Sequence, residues 1–126
     1  MIKKIVFTKK APKPIGPYSQ AVILGNLVFI SGQIAIDPKT SKIIKGGIEA
    51  QTIQVLENLK RILVSIELNL NNVVKVSVFL NDINLFQSFN EVYSKYFMDS
   101  PPARTTVQAG LFNEVLIEID AIAEKS

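Results

Sequence analysis

Apolar residues alternate or run together in six segments, a pattern typical of β-strands. The run Leu27–Ile36 is joined to the segment before it by Gly25-Asn26, which predicts a hairpin with a two-residue turn. Strict alternation then places Ser31 and Gln33 on one face of that strand. The predicted strands are Ile5–Thr8, Val22–Leu24, Leu27–Ile36, Val73–Leu80, Thr105–Ala109 and Val115–Ala123.

The same alternation assigns side chains of two later strands to faces. It places Val74 on the apolar face of Val73–Leu80. It places Glu118 and Asp120 on the polar face of Val115–Ala123, opposite a row of apolar residues. Two carboxylates therefore share one face, about 7 Å apart along the strand.

Two segments carry apolar residues at the three-and-four spacing of an amphipathic helix. The first extends from Ile48 to Ile66 after Gly46-Gly47, and the second begins near Asp82, an N-cap candidate, and continues to Tyr96. Strand-helix-strand connections are almost always right-handed, which predicts both helices on one face of a mixed sheet. The other face needs solvent or a partner subunit, and the high apolar content favours a symmetric oligomer.

The composition is that of a folded domain. The 126 residues fit one domain, 1–126, and are 48% hydrophobic and 20% charged. No apolar run approaches the roughly 18 residues needed to cross a bilayer. The N-terminal apolar stretch is too short for a secretory signal, so we expect a cytoplasmic protein. The chain has no Cys and no His, which excludes thiol nucleophiles, imidazole triads and His or Cys zinc sites.

Positive charge is concentrated near the N-terminus. The net charge is +3, and a basic arm within the first thirteen residues consists of Lys3, Lys4, Lys9, Lys10 and Lys13. Such an arm suits nucleic acid or another anionic partner, but it is also typical of a solvated terminus. The chain has twelve Lys and only two Arg, Arg61 and Arg104, so each Arg position raises the question of whether a planar guanidinium is needed there.

Arg104 and Glu118 are the first candidates for chemistry. Arg104 follows Pro101-Pro102-Ala103, a conformationally restricted segment that leads into a predicted strand. Its guanidinium can bind a carboxylate through two parallel hydrogen bonds, which Lys cannot reproduce. A structural ion pair with Glu118 or another acid is the alternative. Glu118 is a candidate for orienting or deprotonating a water, with an ordinary exposed strand acid as the alternative.

Three further segments carry candidates for lining a pocket. Tyr18, in a turn-rich segment, has a hydroxyl that could cap a pocket, unless its ring packs against the neighbouring prolines. Ser31-Gly32-Gln33 combines a hydroxyl, a bare backbone and an amide, which allows close approach of a ligand, and a β-bulge is the alternative. Asn90 lies beside aromatic residues of the second helix, either as a ligand contact or as an exposed residue.

These motifs, in this order, strongly resemble the RidA/YjgF family of imine deaminases over nearly the whole chain. The segments that carry the resemblance are Gly16–Ala21, Ser31–Gln33 with Asp37-Pro38, Gly46-Gly47, Asn90–Tyr93, Pro102–Arg104 and Ile117–Ala123. The resemblance implies an α+β, chorismate-mutase-like (YjgF-like) fold with a mixed six-stranded sheet and two helices on one face. It also implies a homotrimer with a central β-barrel and active sites in the clefts between subunits.

The resemblance also implies a substrate and a role for each candidate residue. The substrate would be a reactive 2-imino acid or its enamine (2-aminoacrylate/2-iminopropanoate or 2-iminobutanoate), released by pyridoxal-phosphate-dependent serine or threonine dehydratases. Water would convert it to a 2-keto acid and ammonia, without a metal or cofactor. Arg104 would bind the substrate carboxylate, Glu118 would hold the water, and Tyr18 would lie near the reacting end. The implied substrate-binding residues are Arg104, Ser31, Gly32, Asn90 and Thr106.

The chain departs from the family at a few positions. Thr106 stands where many deaminating members have Cys, and Phe112 replaces a common Pro. Members without deaminase activity typically lose the arginine that this chain keeps as Arg104, so deamination is the favoured function. The alternatives are an endoribonuclease or translation inhibitor that binds RNA through the basic arm, and a non-enzymatic stress chaperone. RNA cleavage without His would need Lys and Glu chemistry, which makes nucleic acid the less favoured partner.

Overall fold

A computed structural model describes residues 2–125, which form a six-stranded sheet and two helices. In chain order the elements are β1 (Lys4–Val6), β2 (Ala21–Leu24), β3 (Leu27–Gln33), β4 (Ile36–Asp37), β5 (Lys42–Ile43), α1 (Ile48–Ser65), β6 (Val73–Leu80), α2 (Phe86–Tyr96), β7 (Ala103–Gln108) and β8 (Ile117–Glu124). The large sheet has the order β1-β2-β3-β8-β6-β7, and β4 and β5 form a separate hairpin. Only the β6–β7 pair is parallel. The predicted mixed six-stranded sheet with two helices is confirmed.

The hydrophobic core lies between the sheet and the helices. Ile117 and Ile119 of β8 are fully buried, as are Leu59 and Ile62 on the apolar stripe of α1. No side chain caps the N-terminus of α1, which begins after Gly47, so burial of this stripe provides most of its stability. Within residues 2–125, neither helix is both long enough and apolar enough to span a bilayer.

The opposite face of the sheet carries apolar side chains that no element of residues 2–125 covers fully. Phe29 of β3 is 40% exposed and Val107 of β7 is 42% exposed. Both alternate with residues that point toward the core side of their strands. The uncovered face expected from the sequence is therefore present, and oligomerisation through it stays a prediction.

A β-bulge in β3 changes which residues share a face. Ile30 pairs with Ala121 and Gln33 pairs with Ile119, so three steps along β3 match two along β8. Gln33 is therefore buried on the core side with Ile30. The prediction that Ser31 and Gln33 share a face is wrong, because the extra residue reverses the alternation.

A similar irregularity occurs at the start of β6. Val73 is buried and Val74 is 47% exposed, because the register with β8 shifts between Val73 and Lys75. The predicted placement of Val74 on the apolar face is wrong. The long strand predicted to reach Ile36 is also divided, since Ile36 pairs with Ile43 in the β4–β5 hairpin.

The second helix begins at Phe86, four residues after the predicted N-cap residue Asp82. Asp82 accepts a hydrogen bond from the backbone N–H of Asn84 at 2.9 Å and so caps a short 3-10 turn, Ile83–Leu85. The α-helix follows at Phe86. Asp82 is thus a cap, as predicted, but of the turn that precedes α2.

Candidate functional site

A cleft of about 510 Å³ lies beside the β3 bulge, and it is lined by four of the seven residues to which the family resemblance assigns a role. Tyr18 belongs to the loop before β2, Ser31 and Gly32 form the bulge, and Glu118 lies on β8. Much of the remaining wall consists of prolines and isoleucines. The bulge, which the sequence offered only as an alternative, is what brings Ser31 and Gly32 to this cleft.

Glu118 and Gly32 lie in close contact across β8 and β3. A Cβ atom on residue 32 would be 2.9 Å from Cδ of Glu118 and closer still to its Oε2. Glu118 can therefore lie over the backbone of the bulge only because residue 32 has no side chain. The glycine is required here for space.

The pKa of Glu118 is raised above that of a free glutamate. Burial is the main cause, because it disfavours the charged form, and the negative charge of Asp120 on the same face adds to it. A carboxylate with a raised pKa is a stronger base than an ordinary one, and it exchanges protons at a pH closer to neutral. Glu118 is thus suited to take a proton from water and to pass it on.

The hydroxyls of Ser31 and Tyr18 are oriented by backbone groups. Ser31 Oγ donates to the carbonyl oxygen of Ser19 at 2.6 Å, which leaves its oxygen as an acceptor. Tyr18 Oη accepts a hydrogen bond from the backbone N–H of Ile15 at 3.2 Å, which leaves its proton to donate. Tyr18 is 48% exposed, so its ring is not packed away among the prolines.

One buried amide fixes the loop that carries part of this wall. The side chain of Gln20 accepts a hydrogen bond from the backbone N–H of Thr8 and donates to the carbonyl oxygens of Thr8, Ala11 and Pro12. Gln20 is only 2% exposed. Since an unpaired buried amide is costly, these contacts hold the segment before the cleft in one conformation.

The other three candidates lie together at the β7 edge of the sheet, beside α2. Arg104 Nη1 donates to Asn90 Oδ1 at 2.8 Å. Arg104 and Thr106 are in register with Val76 and Val78, which are core residues of β6, so both side chains lie on the helix side of the sheet. The structure therefore joins Arg104, Asn90 and Thr106 in a second cluster.

Three aromatic rings of α2 surround the Arg104 guanidinium. Its Cζ lies 4.7 Å from the ring centroid of Tyr93, 5.4 Å from that of Phe89 and 5.5 Å from that of Phe86. These are cation–π distances, and the rings also limit the rotamers of the arginine. Sequence reasoning did not include these aromatics among the candidate site residues, although their three-and-four spacing around Asn90 marks one helix face.

Two hydroxyls near Arg104 are buried without a partner. Tyr93 Oη and Thr106 Oγ1 make no hydrogen bond within residues 2–125. Burial raises the pKa of Tyr93, and the nearby charge of Arg104 opposes that shift. Buried hydroxyls are normally paired, so a water, a ligand or another chain is needed to satisfy them.

The two clusters do not meet within one chain. Glu118 is in register with Phe79, on the face opposite the core, whereas Arg104 lies on the helix side at the sheet edge. The alternative of an Arg104–Glu118 ion pair is therefore wrong for the single chain, in which Asn90 accepts the guanidinium's hydrogen bond. A single chain therefore does not bring all seven residues into one site.

Comparison with known proteins identifies the family of this chain. The sequence profile described as endoribonuclease L-PSP matches residues 8–125. The chain belongs to the endoribonuclease L-PSP family. The RidA/YjgF resemblance is thereby confirmed, since the endoribonuclease L-PSP family includes the Rid proteins that the chain also matches.

Individual relatives match over nearly the full length of the chain. A RutC family protein of Pyrococcus abyssi is 56% identical over 99% of each chain. The human protein named 2-iminobutanoate/2-iminopropanoate deaminase is 43% identical, over 98% of this chain and 90% of its own. The crystal structure of E. coli TdcF with bound serine superimposes on this chain with a TM-score of 0.92. The two sequences are 42% identical, and the match covers 98% of this chain and 99% of the TdcF chain.

Proposed function

We propose that the protein hydrolyses 2-imino acids to 2-keto acids and ammonia. Water adds to the carbon of the C=N bond, while the Glu118 carboxylate takes its proton. The same carboxyl then returns the proton to the nitrogen, which gives a tetrahedral intermediate with a hydroxyl and an amino group on the same carbon. It next takes the hydroxyl proton and delivers it to the nitrogen as the C–N bond breaks, so that the keto group forms and ammonia leaves. The 2-iminobutanoate and 2-iminopropanoate formed by serine and threonine dehydratases are the proposed substrates, as the name of the human relative suggests.

The observation that carries this proposal is the environment of Glu118. Its carboxylate is partly buried over Gly32 in a cleft, and its pKa is raised. A surface acid kept only for solubility would not need a glycine beneath it. A base that must gain and lose a proton within one turnover benefits from this environment.

Arg104 is the proposed binding group for the substrate carboxylate. Asn90 and the ring of Tyr93 hold the guanidinium in one orientation before substrate arrives. A preorganised guanidinium can accept a carboxylate in a bidentate pair and fix the imine carbon relative to the water. Thr106, whose hydroxyl is buried and unpaired on the same face, is proposed to contact the substrate beside Arg104.

The proposed active site lies between copies of the chain in a homotrimer. The Glu118 cluster of one subunit would face the Arg104 cluster of its neighbour, and the apolar face that carries Phe29 would be buried in the assembly. Sedimentation equilibrium tests this arrangement. A mass near three times the 14.0 kDa of one chain supports it, and a monomer at assay concentrations would contradict it.

A coupled assay tests the proposed activity directly. Threonine dehydratase and threonine supply 2-iminobutanoate, and the appearance of 2-ketobutyrate is followed with and without this protein. We expect the protein to accelerate release of the keto acid above the spontaneous rate. An unchanged rate with a folded protein of the expected mass would contradict imine hydrolysis.

Gly32→Ala is expected to remove most of this activity. The new methyl group would displace the Glu118 carboxylate from its place over the bulge, and general-base contributions of this kind are worth about 100-fold or more. The measurement is kcat/KM in the coupled assay, with circular dichroism to confirm the fold.

Gly47→Ala is the matched control for Gly32→Ala, because a Cβ on residue 47 meets no atom within 4 Å. It should retain kcat/KM within about twofold of the wild type. Full activity in Gly32→Ala would show that the close contact with Glu118 has no role in turnover.

A further inference from the structure

A second cleft, which shares no lining residue with the first, is lined almost entirely by cationic side chains. Its volume is about 420 Å³, and we name it the basic cleft; its lining residues are Lys9, Lys10, Pro38, Lys39 and Arg61. Four of these five side chains are cationic and none is acidic. None of the four donates a side-chain hydrogen bond to a carboxylate within residues 2–125.

The four cations come from three separate parts of the chain. Lys9 and Lys10 follow β1, Lys39 lies in the turn between β4 and β5, and Arg61 lies in α1. The nearest acid along the chain, Asp37, accepts the backbone N–H of Lys39 through Oδ1 at 2.9 Å and so stabilises the turn itself. The cleft therefore depends on tertiary structure and is not simply part of the N-terminal basic arm.

Buried amide side chains hold these three parts in position. Asn58, fully buried one turn before Arg61, donates to the carbonyl oxygens of Ile34 at 3.2 Å and Ile36 at 2.9 Å, which ties β4 to α1. The side chain of Gln20 accepts a hydrogen bond from the backbone N–H of Thr8 and donates one to the backbone carbonyl of Thr8. The backbones that carry Lys9, Lys39 and Arg61 are thus fixed relative to one another.

Arg61 gives the basic cleft a binding group that lysines do not provide. It is one of only two arginines in a chain with twelve lysines, and it is partly buried on a rigid helix. A guanidinium offers two parallel donors to a phosphate group, and the lysines add mobile point charges around it. Clefts lined by one sign of charge also concentrate ions of the opposite sign.

We propose that the basic cleft binds a compact polyanion with adjacent phosphate groups, such as inorganic pyrophosphate or the polyphosphate end of a nucleotide. Arg61 holds one phosphate group in a bidentate pair, and Lys9, Lys10 and Lys39 surround the next. Neither the substrate nor the products of imine hydrolysis carry phosphate, so this binding is independent of the proposed activity.

Titration calorimetry of the full chain with inorganic pyrophosphate tests the proposal. We expect saturable binding of one pyrophosphate per chain that weakens as salt is raised. The double variant Lys39→Gln with Arg61→Gln should bind at least about tenfold more weakly, because the bidentate pair and one neighbouring charge are lost. Imine hydrolysis by this variant should equal that of the wild type, which separates failure of this proposal from failure of the proposed function.

A matched variant distinguishes a specific site from general attraction of anions. Lys45→Gln with Lys95→Gln removes the same charge from exposed positions outside the basic cleft and should bind pyrophosphate within about twofold of the wild type. Equal loss in both double variants would overturn the proposal, as would the absence of saturable binding. Binding of a single-stranded RNA oligonucleotide through Arg61, without binding of pyrophosphate, would also overturn it in favour of a polymer.

Discussion

Replacing Arg104 with lysine is expected to lower kcat/KM for 2-iminobutanoate hydrolysis by about 100-fold or more. Lysine keeps the charge, but it cannot form two parallel hydrogen bonds with the substrate carboxylate. It also cannot keep the planar contacts that the guanidinium makes with Asn90 and the ring of Tyr93. The coupled assay should show a higher KM from weaker binding and a lower kcat from poorer orientation of the imine carbon.

Arg61→Lys is the matched control for Arg104→Lys, because it makes the same exchange at the only other arginine. Arg61 lines the basic cleft and belongs to neither cluster of candidate residues, so imine hydrolysis should stay within about twofold of the wild type. Unchanged kinetics in Arg104→Lys would contradict the bidentate model and leave only a general requirement for positive charge at this position.

The sequence predicts the strands best where alternation is uninterrupted. In β8 every second residue is apolar from Ile117 onward, and the structure buries those residues and turns Glu118 and Asp120 to the other face. In β3 the same rule fails after Ile30, because a bulge adds one residue and bulges leave no periodic signal. The error affects the candidate site, since the bulge is what brings Gly32 to Glu118.

The division of the candidate site into two clusters was harder to predict. The residues of β7 are mostly polar or small, so alternation could not show which side of the sheet Arg104 faces. The structure decides this through the register with Val76, a core residue of β6. The sequence alone named the candidate residues and, through the family resemblance, predicted a site between subunits. It gave no physical reason for that location.

Glu118→Gln is expected to lower kcat by about 1,000-fold, with a much smaller change in KM. The amide has nearly the same shape and still fits over Gly32, but it cannot accept a proton from water. Steady-state kinetics in the coupled assay measure the effect, and sedimentation should show an unchanged oligomer. A kcat within tenfold of the wild type would mean that Glu118 is not the base.

Asp120→Asn is the companion variant for Glu118→Gln, and its expected effect is on pH dependence. The charge of Asp120 contributes to the raised pKa of Glu118, so its removal lowers that pKa. A base with a lower pKa stays deprotonated in more acidic solution, so the acidic limb of the kcat/KM profile should move to lower pH. A limb that does not move would assign the ionisation to a different group.

Mixing the two inactive variants tests whether each site is shared between subunits. If Arg104 of one chain serves Glu118 of its neighbour, random trimers of Arg104→Lys and Glu118→Gln chains contain intact sites at about one interface in four. Co-expressed variants should then recover about a quarter of wild-type activity, although each alone is nearly inactive. Arg104→Lys mixed with Arg104→Ala should recover none, because every site lacks the arginine. Absence of recovery in the first mixture would place both residues of a site within one chain, against the separation of Arg104 and Glu118 onto opposite faces of the sheet.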